Sequence, residues 1–245
     1  LRGIILTSAK KTFLAEGDLE SLYQAGDPIQ TFQAAEKLKQ IFRDLESPGV
    51  PVVAALNGAA VGAGFELALA CHHRVAIDDP RVRLGLPEVS LGLIPSGGGI
   101  IRLMWLLGIE KAYPILTSGR DYSPRRALYL GLVDELATDR ADMLDRARAW
   151  LLQTKEGRRP WDRQEGSIPG GTARDPQVAA HLQYLAVELA SRTYYNFPAP
   201  QAILNVLAEA SKVDFDTASR IESRYFTELV YSRTCRNMIK AFWFD

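Results

Sequence analysis

Asn57-Gly58-Ala59-Ala60-Val61-Gly62-Ala63-Gly64-Phe65-Glu66-Leu67-Ala68-Leu69-Ala70-Cys71 passes from a turn, through closely spaced glycines, into an apolar segment. Upstream, Pro51-Val52-Val53-Ala54-Ala55-Leu56 reads as a short apolar strand that Asn57-Gly58 turns. Residues 64–71 read as a buried helix opening at the Gly62–Gly64 turn, and His73-Arg74-Val75-Ala76-Ile77 as the next strand. Strand, turn, helix, strand in this order argues an α/β fold.

The same alternation extends outward. Residues 3–7 read as a strand. Residues 30–46 have helical periodicity through Phe32, Ala35, Leu38, Ile41, Phe42 and Leu45, and Ser47-Pro48-Gly49 stops them. Helices are expected over 98–107, 110–117, 123–130 and 140–154, and a short strand over Gly131-Leu132-Val133-Asp134-Glu135-Leu136. Residues 155–176, rich in Gly, Pro, Arg and Lys, read as a long loop or insertion. From 177 onward the pattern is helical, broken at Pro198-Ala199-Pro200, with one long amphipathic stretch over 216–241. The expected division is a core over 1–195 and a C-terminal helical region over 196–245. The abrupt ends, Leu1-Arg2-Gly3 and Phe242-Trp243-Phe244-Asp245, read as the edges of a piece of a longer polypeptide, with N-terminal strands missing.

Composition narrows the classes. With 29 basic and 29 acidic residues among 245, the chain has no net charge to steer it towards nucleic acid or an anionic membrane. No apolar run reaches the roughly 18 residues of a membrane span. The two cysteines, Cys71 and Cys235, form no Cys/His cluster, so neither a zinc site nor a disulfide framework is expected. A reducing cytoplasm, or an organelle matrix, fits.

The second chemical stretch is Leu84-Gly85-Leu86-Pro87-Glu88-Val89-Ser90-Leu91-Gly92-Leu93-Ile94-Pro95-Ser96-Gly97-Gly98-Gly99. Glu66 and Glu88 thus each sit beside a glycine-rich turn in apolar surroundings. Such surroundings disfavour the charged carboxylate and move it towards the range useful for proton transfer. A turn feeding a helix also presents backbone N–H groups to an anion. The competing readings are a tight turn that needs small residues for packing, and glutamates that complement a helix dipole. His72 and His73 read as packing residues, and Arg102 as a helix-surface or subunit contact. Arg2, Lys10 and Lys11 are candidates for phosphate contacts or a solvated turn. Trp243, with Phe242 and Phe244, reads as an interface or core element.

These motifs resemble the crotonase (enoyl-CoA hydratase/isomerase) superfamily. The oxyanion loop of that family is similar to Phe13-Leu14-Ala15-Glu16-Gly17-Asp18-Leu19. Its second motif, N-G-x-[AV]-x-G-[GA]-G-x-E-L-A, matches Asn57 through Ala68. Its third matches Pro87 through Gly99, and its later G-L-V-[DN] matches Gly131 through Asp134. The C-terminal stretches Asn196–Ile203, Glu222–Leu229 and Arg236–Phe242 resemble the hydratase half of bifunctional fatty-acid β-oxidation proteins. The resemblance implies a spiral of ββα units with a C-terminal helical region. It implies oxyanion donors at the backbone N–H of Gly17 and Ala63, a water-activating Glu66, and a Glu88 that exchanges a proton with the substrate α-carbon. It places substrate contacts at Ala15, Asp18, Leu19, Pro95, Gly97 and Gly98. Coenzyme A enters as part of an acyl-CoA substrate, with no separate cofactor and no metal. A homo-oligomer, or a joined NAD-dependent dehydrogenase part, is the implied partner, in a bacterial cytoplasm.

With both glutamates present, the implied reaction is hydration of a trans-2-enoyl-CoA. The rival is Δ3-to-Δ2 enoyl-CoA isomerisation, and a rival of another class is an acyl-CoA-binding or scaffold domain without turnover. Two departures from the pattern stand out. Glu16 occupies a position where glycine is common, and Ala63 replaces the middle glycine of its motif.

Overall fold

The computed structural model describes residues 1–15, 19–154 and 157–244; of Trp243 it describes only the backbone. The chain forms two compact units, each discontinuous in sequence. The first comprises Leu1–Gly17, Gln40–Leu86 and Arg120–Glu165, and the second Asp18–Lys39, Pro87–Gly119 and Gly166–Asp245.

The first unit holds both sheets. Strands β1 (Ile4–Leu6), β2 (Val52–Leu56), β4 (His73–Ile77) and β6 (Glu135–Ala137) make a four-stranded sheet in the order β1-β2-β4-β6. All its pairings are parallel, with Ile5 opposite Val53, Ala54 opposite Arg74 and Ala76 opposite Leu136. Every residue of β2 is buried, as an unbroken apolar run in a parallel sheet requires. Helix α7 (Arg140–Gln153) packs Met143 and Ala147 against Val53, Ala55, Val75 and Ala137. A second, two-stranded sheet pairs β3 (Ala60–Val61) with β5 (Leu84–Gly85), and Leu14 bridges onto Ala60. Between β3 and β4 lies helix α3 (Ala63–Ala70).

The strand expected over 131–136 starts later. Gly131, at φ 77°, ends helix α6 (Pro124–Leu130) in a left-handed cap, so β6 begins at Glu135. Asp134 just before it receives the Arg74 backbone N–H and pairs with the Arg74 guanidinium at 2.7 Å. The segment read as a long loop is anchored: Arg159 and Trp161 are buried in the first unit, and Ile168 in the second.

The second unit is helical. It contains α1 (Leu19–Gln24), the part of α2 (Pro28–Glu46) up to Lys39, α4 (Gly99–Leu107), α5 (Ile109–Thr117), α8 (Pro176–Thr193), α9 (Pro198–Ala210), α10 (Phe215–Val230) and α11 (Arg233–Ile239). The stretch expected as one helix over 216–241 is two. The Ser232 side chain accepts the Cys235 N–H, which caps a new helix and breaks the old one. The buried face of α2 also differs from the expected one. Thr31, Ala35, Lys39, Phe42 and Glu46 are buried, whereas Ile41 is exposed. Polar residues occupy the inner face because each finds a partner there: Lys39 pairs with Glu222, and Glu46 with Arg43 at 2.7 Å. No helix among the described residues is long and apolar enough to cross a membrane.

Candidate active site

In the first unit the second motif becomes strand, turn and helix. The Val61 N–H donates to Leu14 O and the Gly62 N–H to Gly85 O, so the turn is pinned on both flanks. The left-handed torsion falls on Gly62 (φ 60°), and Ala63 takes the first helical position at an ordinary negative φ. Alanine is therefore accommodated where the motif usually has glycine. Gly64 cannot be replaced so easily, since a side chain there would collide with the Leu14 carbonyl. That close approach sets Phe13 and Leu14 along the Asn57–Gly64 segment, and Ala15, the next residue, is exposed. Phe65 and Glu66 direct their N–H groups to Gly62 O at 2.8 and 3.0 Å. No hydrogen bond among the described residues takes the Ala63 N–H. Glu66 is 1% exposed in the first turn of α3, where a carboxylate also meets the positive dipole end.

The carbonyl end of α3 is held by cations. Buried Arg159 donates from Nη1 to Cys71 O (2.8 Å) and His72 O (3.1 Å), and from Nη2 to Leu69 O (3.0 Å). Arg74 adds a bond to Cys71 O at 3.2 Å. These guanidinium groups satisfy carbonyls the helix leaves open. The histidines that follow are held as packing groups. His73 stacks on Trp150 with ring centroids 4.6 Å apart and meets Glu135 at 3.0 Å. Burial lowers its pKa in spite of Asp134 and Glu135, which act the other way. Burial also lowers that of His72, and the Arg159 charge adds to the effect. Lys10 and Lys11 are exposed beside the Asn57-Gly58 turn, where Asn57 Nδ2 donates to Lys10 O at 2.8 Å.

In the second unit Glu88 opens a 3₁₀ turn, Glu88–Leu91, and is half-buried with its Oε2 atom shielded from water. The Leu93 N–H returns to Glu88 O at 3.1 Å and closes the turn. Pro95, Gly97 and Gly98 are buried in the loop that feeds α4. Arg102, expected at a surface, is 1% exposed; its Nη1 donates to Gly97 O at 2.7 Å and its guanidinium faces the Phe215 ring. Its burial is compensated because it replaces water around a loop carbonyl. Gly98, in a left-handed conformation at φ 94°, gives its N–H to Glu222 Oε1 at 2.8 Å. Leu19 is half-buried at the start of α1, while Glu16, Gly17 and Asp18 lie outside the described residues. Of the tail aromatics, Phe242 is exposed and Phe244 tilts against Tyr23 at 5.3 Å.

The structure thus groups Ala15, Ala63 and Glu66 in the first unit, and Glu88, Pro95, Gly97 and Gly98 in the second. Sequence reasoning missed Lys39, Arg159 and Glu222. Glu222 had a visible signal: it takes an apolar-face position in the series Phe215, Ala218, Glu222, Phe226, Leu229.

A parallel sheet flanked by helices, with a glutamate-bearing helix fed by a glycine turn, defines an α/β protein of the crotonase type. Its sequence matches the enoyl-CoA hydratase/isomerase family over residues 1–160, and the chain belongs to that family. It is 34% identical over 249 aligned residues to the fatty acid oxidation complex subunit alpha of Shewanella sp. strain MR-4. That alignment covers 99% of this chain and 34% of the relative, so the chain spans about a third of the length of the curated relatives it matches. Among solved structures, it is similar to an enoyl-CoA hydratase from Bacillus anthracis (25% identity, TM-score 0.53, covering 95% of this chain and 74% of that one). An enoyl-CoA hydratase/isomerase from Mycobacterium paratuberculosis shares the fold at 22% identity, with a TM-score of 0.61 over 98% of this chain and 80% of that one.

Proposed function

We propose that this chain is the enoyl-CoA hydratase portion of a fatty-acid β-oxidation protein. It adds water to a trans-2-enoyl-CoA in the syn sense and gives a 3-hydroxyacyl-CoA. The observation that carries the reading is Glu66, a buried carboxylate one turn into a helix whose Ala63 N–H no described residue takes. Glu66 orients water and takes its proton as the oxygen adds to C3. The electrons move onto the thioester oxygen, where the N–H groups of Ala63 and Gly17 stabilise the enolate. Protonated Glu88 then delivers a proton to C2, and exchange with solvent resets both carboxyl groups. Pro95, Gly97 and Gly98, with Ala15, Asp18 and Leu19, contact the substrate. In the whole protein the product passes to an NAD-dependent dehydrogenase part, in the cytoplasm.

The test is hydration of crotonyl-CoA beside isomerisation of a 3-enoyl-CoA. Glu66→Gln and Glu88→Gln should each lower hydration by about 10²- to 10⁴-fold, the usual contribution of a positioned acid or base. Unchanged rates in both variants would sink the assignment. Isomerisation that exceeds hydration would reassign the chain to the isomerases, and bound thioester without turnover would make it a binding domain.

A further inference from the structure

The N-terminus of α4 is filled by a side chain of the same chain. Glu222 of α10 is fully buried, and all its acceptor capacity is used. Oε1 accepts from the Gly98 N–H at 2.8 Å and faces Lys39 Nζ at 3.1 Å. Oε2 accepts from Ile100 and Ile101 at 3.0 and 3.3 Å. Lys39 is equally committed, since its other protons go to Ser219 O (2.5 Å) and Ser223 Oγ (2.8 Å). Ser223 passes its own proton to Glu36 at 2.6 Å. Arg102 completes the enclosure from the carbonyl side at Gly97.

We propose that Glu222 is a positioning residue. Its carboxylate, balanced by Lys39, sets the backbone path of the Pro95–Gly99 turn by holding the N–H groups of Gly98, Ile100 and Ile101 in the segment that follows Glu88. The proposal rests on the hydratase reading, in which Pro95, Gly97 and Gly98 meet the substrate. A buried ion pair contributes little net stability, because the desolvation of both charges offsets their attraction. Its effect here is geometric: only a carboxylate accepts on both oxygens at once. An amide in its place would turn N–H groups towards N–H groups.

Two variants separate positioning from support. Glu222→Gln removes one acceptor and unbalances Lys39. The double variant Lys39→Met with Glu222→Gln removes both charges together and should fold where the single one fails. With crotonyl-CoA saturating, and well below the melting transition, both should show kcat reduced about tenfold to a hundredfold per folded molecule, the scale of a misplaced contact. The amide protons of Gly98, Ile100 and Ile101 should move upfield and exchange faster in both. Wild-type kcat in the folded double variant, or unmoved amide signals, would overturn the proposal. If the unmodified chain fails to hydrate crotonyl-CoA, the hydratase reading falls. The amide signals then still report whether Glu222 sets the turn.

Discussion

Two helix starts that look alike in sequence differ in what faces them. Gly62-Ala63-Gly64 feeds α3 and Gly97-Gly98-Gly99 feeds α4, each with a left-handed glycine just before the helix. At α4 a buried carboxylate takes the N–H groups of Gly98, Ile100 and Ile101. At α3 no described residue takes the N–H of Ala63. A helix N-terminus is an anion site only while its donors remain uncommitted. Of these two turns, the one at α3 leaves the Ala63 N–H open among the described residues, as the proposed oxyanion role requires, whereas Glu222 takes the Gly98, Ile100 and Ile101 N–H groups at α4.

Ala63→Pro attacks that difference most directly. Proline suits the first helical position and deletes only the N–H in question. Hydration of crotonyl-CoA should fall by about 10²- to 10³-fold, the usual cost of one oxyanion donor, with the melting midpoint close to that of the parent. Activity near the parental level would erase the contrast between the two turns. Stability should respond next. Gly64→Ala drives a methyl into the Leu14 carbonyl, and urea unfolding should show a loss of about 1–3 kcal/mol. Gly98→Ala keeps a left-handed torsion and meets the Arg102 guanidinium; a loss of about 1–2 kcal/mol is expected. If Gly98→Ala costs more than Gly64→Ala, the α4 joint is the stiffer of the two.

The smallest effect lies past the carbonyl end of α3. His72 and His73 titrate below their ordinary 6.5 in the folded protein because burial disfavours the charged ring. The unfolded chain then binds more protons just below that value. Their contribution is complete above about pH 6.5 and is lost as pH falls from there through the lower folded values. His73→Gln should flatten the slope of unfolding free energy against pH in that window by up to about 1.4 kcal/mol per pH unit. An unchanged slope would show that burial leaves His73 unperturbed.

What was legible in the sequence was local. The Val52–Leu56 strand, the Gly62 turn and helices α3, α4 and α7 follow from apolar runs, glycines and caps within a few residues. The Gly131–Asp134 stretch misled because leucine and valine beside a glycine resemble a strand start, while the glycine was ending a helix. Arg102 misled because charge was taken as exposure, and its carbonyl partner at Gly97 cannot be read from a helical pattern. Glu222 and Arg159 were missed for a shared reason: each completes a helix end far away along the chain, and no short-range periodicity encodes such a pairing. Glu66 and Glu88 stand out as candidates by motif, yet which neighbouring N–H groups are already committed emerges only from the packing.

The separation between Gly98 and its carboxylate also orders events during synthesis. The Gly98 N–H is bonded 124 residues ahead of itself, and the Leu69 carbonyl 90 residues ahead. At about 5–20 residues per second, roughly 6–25 s pass between the emergence of Gly98 and that of Glu222. Until then the Glu222 carboxylate is not available to these donors, so this turn reaches its working shape only after α10 has been made.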